Sequence, residues 1–155
     1  MSTPVVIPPT TPSTSSGQTS FVSQVEQKIF DLINIQRLQN GLSALAADTT
    51  LANVARAHSA DMLTQNYFDH TDLTGCDPGC RITHAGFVWR SYGENIYTMS
   101  EYNLDAIGTA NQIVTGWMNS PGHRANILGN FAKIGVGIAS VGSTVYATTD
   151  FGTSR

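Results

Sequence analysis

Gly116-Trp117-Met118-Asn119-Ser120-Pro121-Gly122-His123-Arg124-Ala125-Asn126-Ile127-Leu128 puts an aromatic, a break, a titratable ring and a second helical start into one short run. Proline lacks an amide donor and glycine costs backbone entropy, so a helix carrying Trp117 must stop at Ser120-Pro121-Gly122. A new turn then begins at His123. At the start of a helical turn, free backbone amides and the helix dipole disfavour the imidazolium and leave a neutral ring able to take a metal or a proton. The plainer alternative is a polar residue satisfied by backbone.

Working backward, a helix from about Asn103 would turn Leu104, Ile107, Ala110, Val114, Trp117 and Met118 inward. Working forward, Ile134-Gly135-Val136-Gly137-Ile138 and Thr144 to Phe151 alternate about a Gly142-Ser143 turn, which predicts an antiparallel hairpin. At the front, Val22, Val25, Ile29, Leu32, Ile33, Gln36 and Leu38 recur at near-helical spacing until Asn40-Gly41. Asp48 is placed to cap a second helix, from about Thr50 to Gln65. Its apolar stripe is Leu51, Val54, Ala55 and Met62, and His58 falls within it, so that imidazole points inward. Helices packed on an antiparallel sheet follow from this order of elements.

Between Asn66 and about Thr83 periodicity disappears, which predicts a loop. Its Cys76-Asp77-Pro78-Gly79-Cys80 turn holds both cysteines of the chain and favours a local disulfide, hence an oxidising compartment. The alternative is zinc held by His70, Cys76, Cys80 and His84, although their spacing matches no zinc-finger pattern. Beyond the loop, Phe87-Val88-Trp89 and Ile96-Tyr97 flank Gly93-Glu94-Asn95. An extended segment bent at Gly93 would aim Glu94 off the regular face.

The 155 residues suffice for one domain with a real core. Only 12% are charged, the net charge is −3 and no basic run occurs, so nucleic acid and anionic membranes find no electrostatic footprint. No apolar run approaches the roughly 18 residues of a spanning helix. Residues 1 to 20 are rich in Ser, Thr and Pro and uncharged, which reads as an extended linker or a disordered terminus preceding a domain over 21–155. No signal peptide opens the sequence; if the protein is secreted, its leader is expected to lie outside these residues.

Ala57-His58-Ser59-Ala60-Asp61-Met62, Tyr67-Phe68-Asp69-His70-Thr71, Gly93-Glu94-Asn95-Ile96, Trp117 to Leu128, Ile134 to Ile138 and Asp150-Phe151-Gly152 stand in the order and spacing of the CAP superfamily. This superfamily comprises the cysteine-rich secretory proteins, antigen 5 and pathogenesis-related 1 proteins, and the chain resembles its compact microbial branch. The resemblance implies an α+β fold, a three-layer α-β-α sandwich with a central antiparallel sheet. It implies a secreted or surface location, tethered or released through the N-terminal linker. It also implies a central cavity of histidines and acidic residues that holds a divalent metal, zinc or magnesium, in relatives. Residue by residue, it assigns His58, Glu94 and His123 as metal-ligating cavity groups. Asn119 and Ser120 stand near where many members carry a second glutamate. With that carboxylate missing, metal is expected to be weak or absent.

Three functions are compatible with these residues. The first is a non-enzymatic, monomeric module binding lipid or another small apolar ligand. The second is an extracellular protein-interaction module using the loop from Asn66 to Arg81. The third is a hydrolase, either metal-assisted or with Ser120 or Ser59 as nucleophile and a histidine as base. No Gly-x-Ser-x-Gly or His-Glu-x-x-His motif supports the last.

Overall fold

Ile134-Gly135-Val136-Gly137-Ile138 serves two different neighbours. It lies in β3 (Lys133–Val141), which pairs antiparallel with β4 (Thr144–Ser154) around Gly142 in a left-handed turn at φ 58°. The Ile and Val side chains face one helical layer. On the opposite face, a Cβ at Gly135 or Gly137 would collide with the backbone of Ala52 or Arg56. Glycine here lets a helix lie directly on the strand.

The computed structural model describes residues 20–100 and 103–155. The remaining elements are α1 (Phe21–Gln39), β1 (Ala46–Ala47), α2 (Thr49–Gln65), α3 (Pro78–His84), β2 (Trp89–Met99), α4 (Ala106–Met118) and α5 (Pro121–Ile127). The sheet order is β1-β3-β4-β2. The three long strands are antiparallel, and the two-residue β1 joins the β3 edge in parallel. The stretch read as a linker lies outside the described residues except for Ser20, whose hydroxyl caps α1 by accepting from the Ser23 amide.

The layers are an α-β-α sandwich. On one face Val25, Ile29 and Ile33 of α1, Ala110, Ile113 and Trp117 of α4 and Ile127 of α5 pack on Ile134, Val136, Ile138, Ala147 and Phe151. On the other, Leu51 and Val54 of α2 meet Ile82 of α3 and Phe87. Arg37, buried in α1, ties the first layer together by donating to the carbonyls of Ser43, Ile127 and Gly129. It thereby satisfies the carbonyl end of α5, which positions His123.

Four local expectations are corrected. The loop from Asn66 to Thr83 contains α3, which is too short for a periodic signal but opens on Asp77-Pro78. Asp77 accepts from the Cys80 amide (2.8 Å) and Pro78 stands in the first turn. The third helix begins at Ala106, capped by Asp105. Leu104 (46% exposed) and Ile107 (57%) therefore face outward, while Ala106, Thr109 and Ile113 are buried. Leu38 is exposed and the neighbouring Arg37 is buried in its place. Finally, β2 runs in register through Gly93, and its irregularity lies between Trp89 and Ser91. The absence of a side chain at Gly93 makes room for Asn126 and Phe131, whose side-chain ends a Cβ there would have to displace.

Candidate functional site

β2 is an edge strand, and Glu94 at its middle is directly opposite Asp150 of β4. Both carboxyls are buried, Glu94 at 6% and Asp150 at 1% exposure. A buried carboxylate needs charge-assisted bonds to both oxygens, and Glu94 has them. His70 Nδ1 donates to Oε1 (2.8 Å) and Arg81 Nη2 donates to Oε2 (2.7 Å). Burial raises Glu94, but His70, Asp150 and the Arg81 charge outweigh it and hold the carboxylate below its usual range. Asp150 goes the other way. Complete burial, then the Glu94 charge, push it well above the carboxylate range, and neither of its oxygens has a partner at bonding geometry. Its proton is kept by the cost of a second buried negative charge.

His58 lies beneath this pair on α2. Its Nε2 donates to the Asp69 carbonyl (2.9 Å), which fixes the loop so that the next residue, His70, stands over Glu94. Burial lowers His58 and leaves a neutral ring whose Nδ1 is buried without a partner. Arg81 completes the support by donating to the carbonyls of His70 (2.6 Å) and Cys76 (3.0 Å). The loop, α3 and β2 are thus tied through one guanidinium.

On the other side of β2, Asn95 donates to the His123 carbonyl (3.0 Å), and Asn126 donates to the Glu94 carbonyl and to Asn95 Oδ1. His123 Nδ1 is 2.8 Å from Ser120 Oγ, and burial, then the nearby His70 ring, lower it. Ser120 is the N-cap of α5 but makes no side-chain cap bond; its hydroxyl goes to the imidazole.

Glu94's hydrogen-bonded imidazole partner is therefore His70, while His58 holds the loop that presents His70 and adds a weaker direct electrostatic influence on Glu94. Asn119 lines a separate cavity of about 180 Å³ with Leu32, Gln36 and Met118. Ser59 is fully buried, its hydroxyl 2.8 Å from the Gly137 carbonyl and 2.8 Å from Thr148 Oγ1, so it pins α2 to the sheet. Cys76 and Cys80 form a disulfide, Cα–Cα 5.4 Å. Among the described residues, Cys76, Cys80 and His84 are the group whose potential ligand atoms all lie within 4.8 Å of one another; His58, Glu94 and His123 form no such group. Both Glu94 oxygens are paired, one with His70 and one with the Arg81 cation, so a divalent ion at this carboxylate would have to compete with both.

Sequence reasoning missed Arg81 and Asp150 and gave His70 no role at Glu94. His70 and Asp150 both lie in stretches that carried the resemblance, and an Asp in an otherwise core-forming strand was the available signal for the second carboxyl. Arg81 had none, because the reach of its guanidinium depends on α3.

Residues 30–151 match the sequence model of CAP, the cysteine-rich secretory protein family, and the chain belongs to that family. It is 40% identical over 132 residues to the uncharacterized protein YkwD of Bacillus subtilis (strain 168), covering 84% of this chain and 49% of that protein. An extracellular SCP-domain protein of Bacillus anthracis superposes with a TM-score of 0.74 at 35% identity, covering 86% of this chain and 41% of that one. An outer surface protein of Borrelia burgdorferi gives a TM-score of 0.75 at 22% identity, covering 85% of this chain and 94% of that one. The chain spans about half or less of the curated relatives it matches, 49% and 31% of their lengths. Among the described residues no helix is long and apolar enough to cross a membrane.

Proposed function

We propose that this domain works outside the cell or at its surface as a non-enzymatic module that binds a small ligand with an apolar body and a polar head. The supporting observation is a cavity of about 650 Å³ between α1 and α2, where β3 emerges past the short β1. Phe30, Ala47, Ala52, Ile134 and Val136 supply apolar wall. At the rim Arg56 pairs in bidentate fashion with Glu26 (3.0 and 2.9 Å), and Glu26 also accepts from the Ile138 amide (3.1 Å). An apolar cavity with a few convergent polar groups is the usual form of a small-molecule site. A lipid panel read by displacement of a fluorescent fatty acid tests this. Binding in the wild type that falls at least tenfold in Ala52→Phe, which fills the groove, is expected. Absence of binding across the panel, or binding indifferent to Ala52→Phe, overturns it.

The Ser120–His123 hydrogen bond favours hydrolysis as a second reading. Against it, the imidazole uses Nδ1 towards the serine, and among the described residues no carboxylate bonds its Nε2 to orient it. Glu94 is committed to His70 and Arg81. A fluorophosphonate probe is expected to leave Ser120 unlabelled; stoichiometric labelling there would select the hydrolase instead.

A further inference from the structure

The disulfide region contains more than a staple. We propose that Cys76, Cys80 and His84 form a redox-gated metal site: closed as the disulfide, and after reduction a two-thiolate, one-imidazole cradle for zinc or another thiophilic divalent cation. His84 Nδ1 lies 3.9 Å from Cys76 Sγ and 3.8 Å from Cys80 Sγ. In tetrahedral zinc coordination, Zn–S of about 2.3 Å and Zn–N of about 2.0 Å put ligand atoms roughly 3.5–3.8 Å apart. The imidazole is therefore already close to ligand spacing from both sulfurs, and only the two sulfurs must separate. Cys80 and His84 stand four residues apart on α3, the spacing at which two helical ligands face one ion. Three protein ligands leave a fourth position for water or an exogenous group.

The site is pre-organised independently of the S–S bond. Asp72 Oδ1 accepts from the Cys76 amide (3.0 Å), Asp77 Oδ1 accepts from the Cys80 amide (2.8 Å), and Arg81 donates to the Cys76 carbonyl (3.0 Å). Both cysteine backbones therefore keep their anchors when the disulfide opens. The cysteines are only partly buried and His84 is exposed, so reductant and metal have access. The bridge closes a segment with a sequence separation of only four, near the short limit of the loop-entropy benefit, so the fold owes it little and is expected to survive its opening. In the gating step an external dithiol gives up two electrons and two protons and becomes a disulfide, while Cys76 and Cys80 become thiols. Zinc then displaces the two thiol protons, and His84 Nδ1 contributes its lone pair.

The test is titration of the intact chain with zinc alone and with cobalt(II), oxidised and after reduction by a water-soluble phosphine, which is oxidised to its phosphine oxide with an oxygen from water. Circular dichroism is recorded at each stage. The reduced chain is expected to stay folded, bind one equivalent and show thiolate-to-cobalt charge-transfer absorption; the oxidised chain binds at least a hundredfold more weakly. Cys80→Ser and His84→Ala each lower the reduced-state affinity tenfold or more, and His70→Ala leaves it unchanged. The doubly substituted Cys76→Ser, Cys80→Ser chain reports whether the fold survives without the bridge. No zinc uptake by a folded reduced chain, unfolding on reduction, equal uptake by the oxidised chain, or indifference to His84→Ala each overturns the proposal.

Discussion

The two faces of the sheet are made from the same strands but hold the fold by different means. Towards α1, α4 and α5 the contact is apolar and interdigitated, with Trp117 at its centre, 1% exposed and donating to the Ile96 carbonyl (3.0 Å). Towards α2 and α3 the strands present Gly135, Gly137, Thr148 and Asp150, and the helices answer with Ser59, His58 and Arg81. One face supplies stability by burial. The other lets backbone approach backbone and uses the space at its edge for an ionic cluster in which Glu94 is paired at both oxygens while Asp150 and His58 Nδ1 are left without hydrogen-bond partners. A single alternating strand can do both because successive side chains leave on opposite sides.

The largest expected effect comes from forcing a side chain into the close face. Gly137→Val drives a Cβ into the α2 backbone at Arg56. Ordinary overpacking costs about 1–3 kcal/mol, and an obstacle of rigid backbone should exceed that, at about 4 kcal/mol or more. A chemical denaturation midpoint near wild type would show that α2 can ride outward freely. On the apolar face Trp117→Ala should cost about 3 kcal/mol from lost burial and a residual cavity, measured the same way. A near-neutral result there would move the ring to the periphery of the core.

The ionic cluster gives smaller effects that separate charge from packing. Glu94→Gln keeps the shape but leaves Arg81 and its buried environment without a counter-charge, for about 2 kcal/mol of destabilisation at neutral pH. Below the carboxylate range the penalty should shrink. Glu94 is held low in the folded chain, so its stabilisation is present above the unfolded value of about 4.3 and is lost as pH falls through the lower folded value. A pH-independent difference would assign the loss to geometry. Asp150→Asn is the finest probe. As pH rises past about 4 the unfolded chain releases this proton while the folded chain retains it, so wild-type stability declines relative to the variant until the raised folded value is reached. Denaturation of both chains at pH 4 and pH 7 should show the variant gaining on wild type at the higher pH. The opposite trend would mean that Asp150 is ionised in the fold.

Some of this was legible without coordinates because it is local. The first two helices, the Asp48 cap and the final hairpin follow from periodicity and turn chemistry, and His58 was placed inward by helical arithmetic alone. Two cysteines around Asp-Pro-Gly were close enough in sequence to predict their bridge. The identity of Glu94's partners was not local. His70 reaches it because His58 holds the Asp69 carbonyl, Arg81 because a seven-residue helix aims it there, and Asp150 because antiparallel register sets it opposite. Leu104 and Ile107 point to solvent for a related reason, since the helix starts only at the Asp105 cap and its buried face is chosen by α1 and the sheet. Backbone periodicity and capping are written in neighbouring residues. Which buried charges neutralise one another is decided only when distant segments meet, because a charge can stay buried only where the assembled fold supplies its counter-charge.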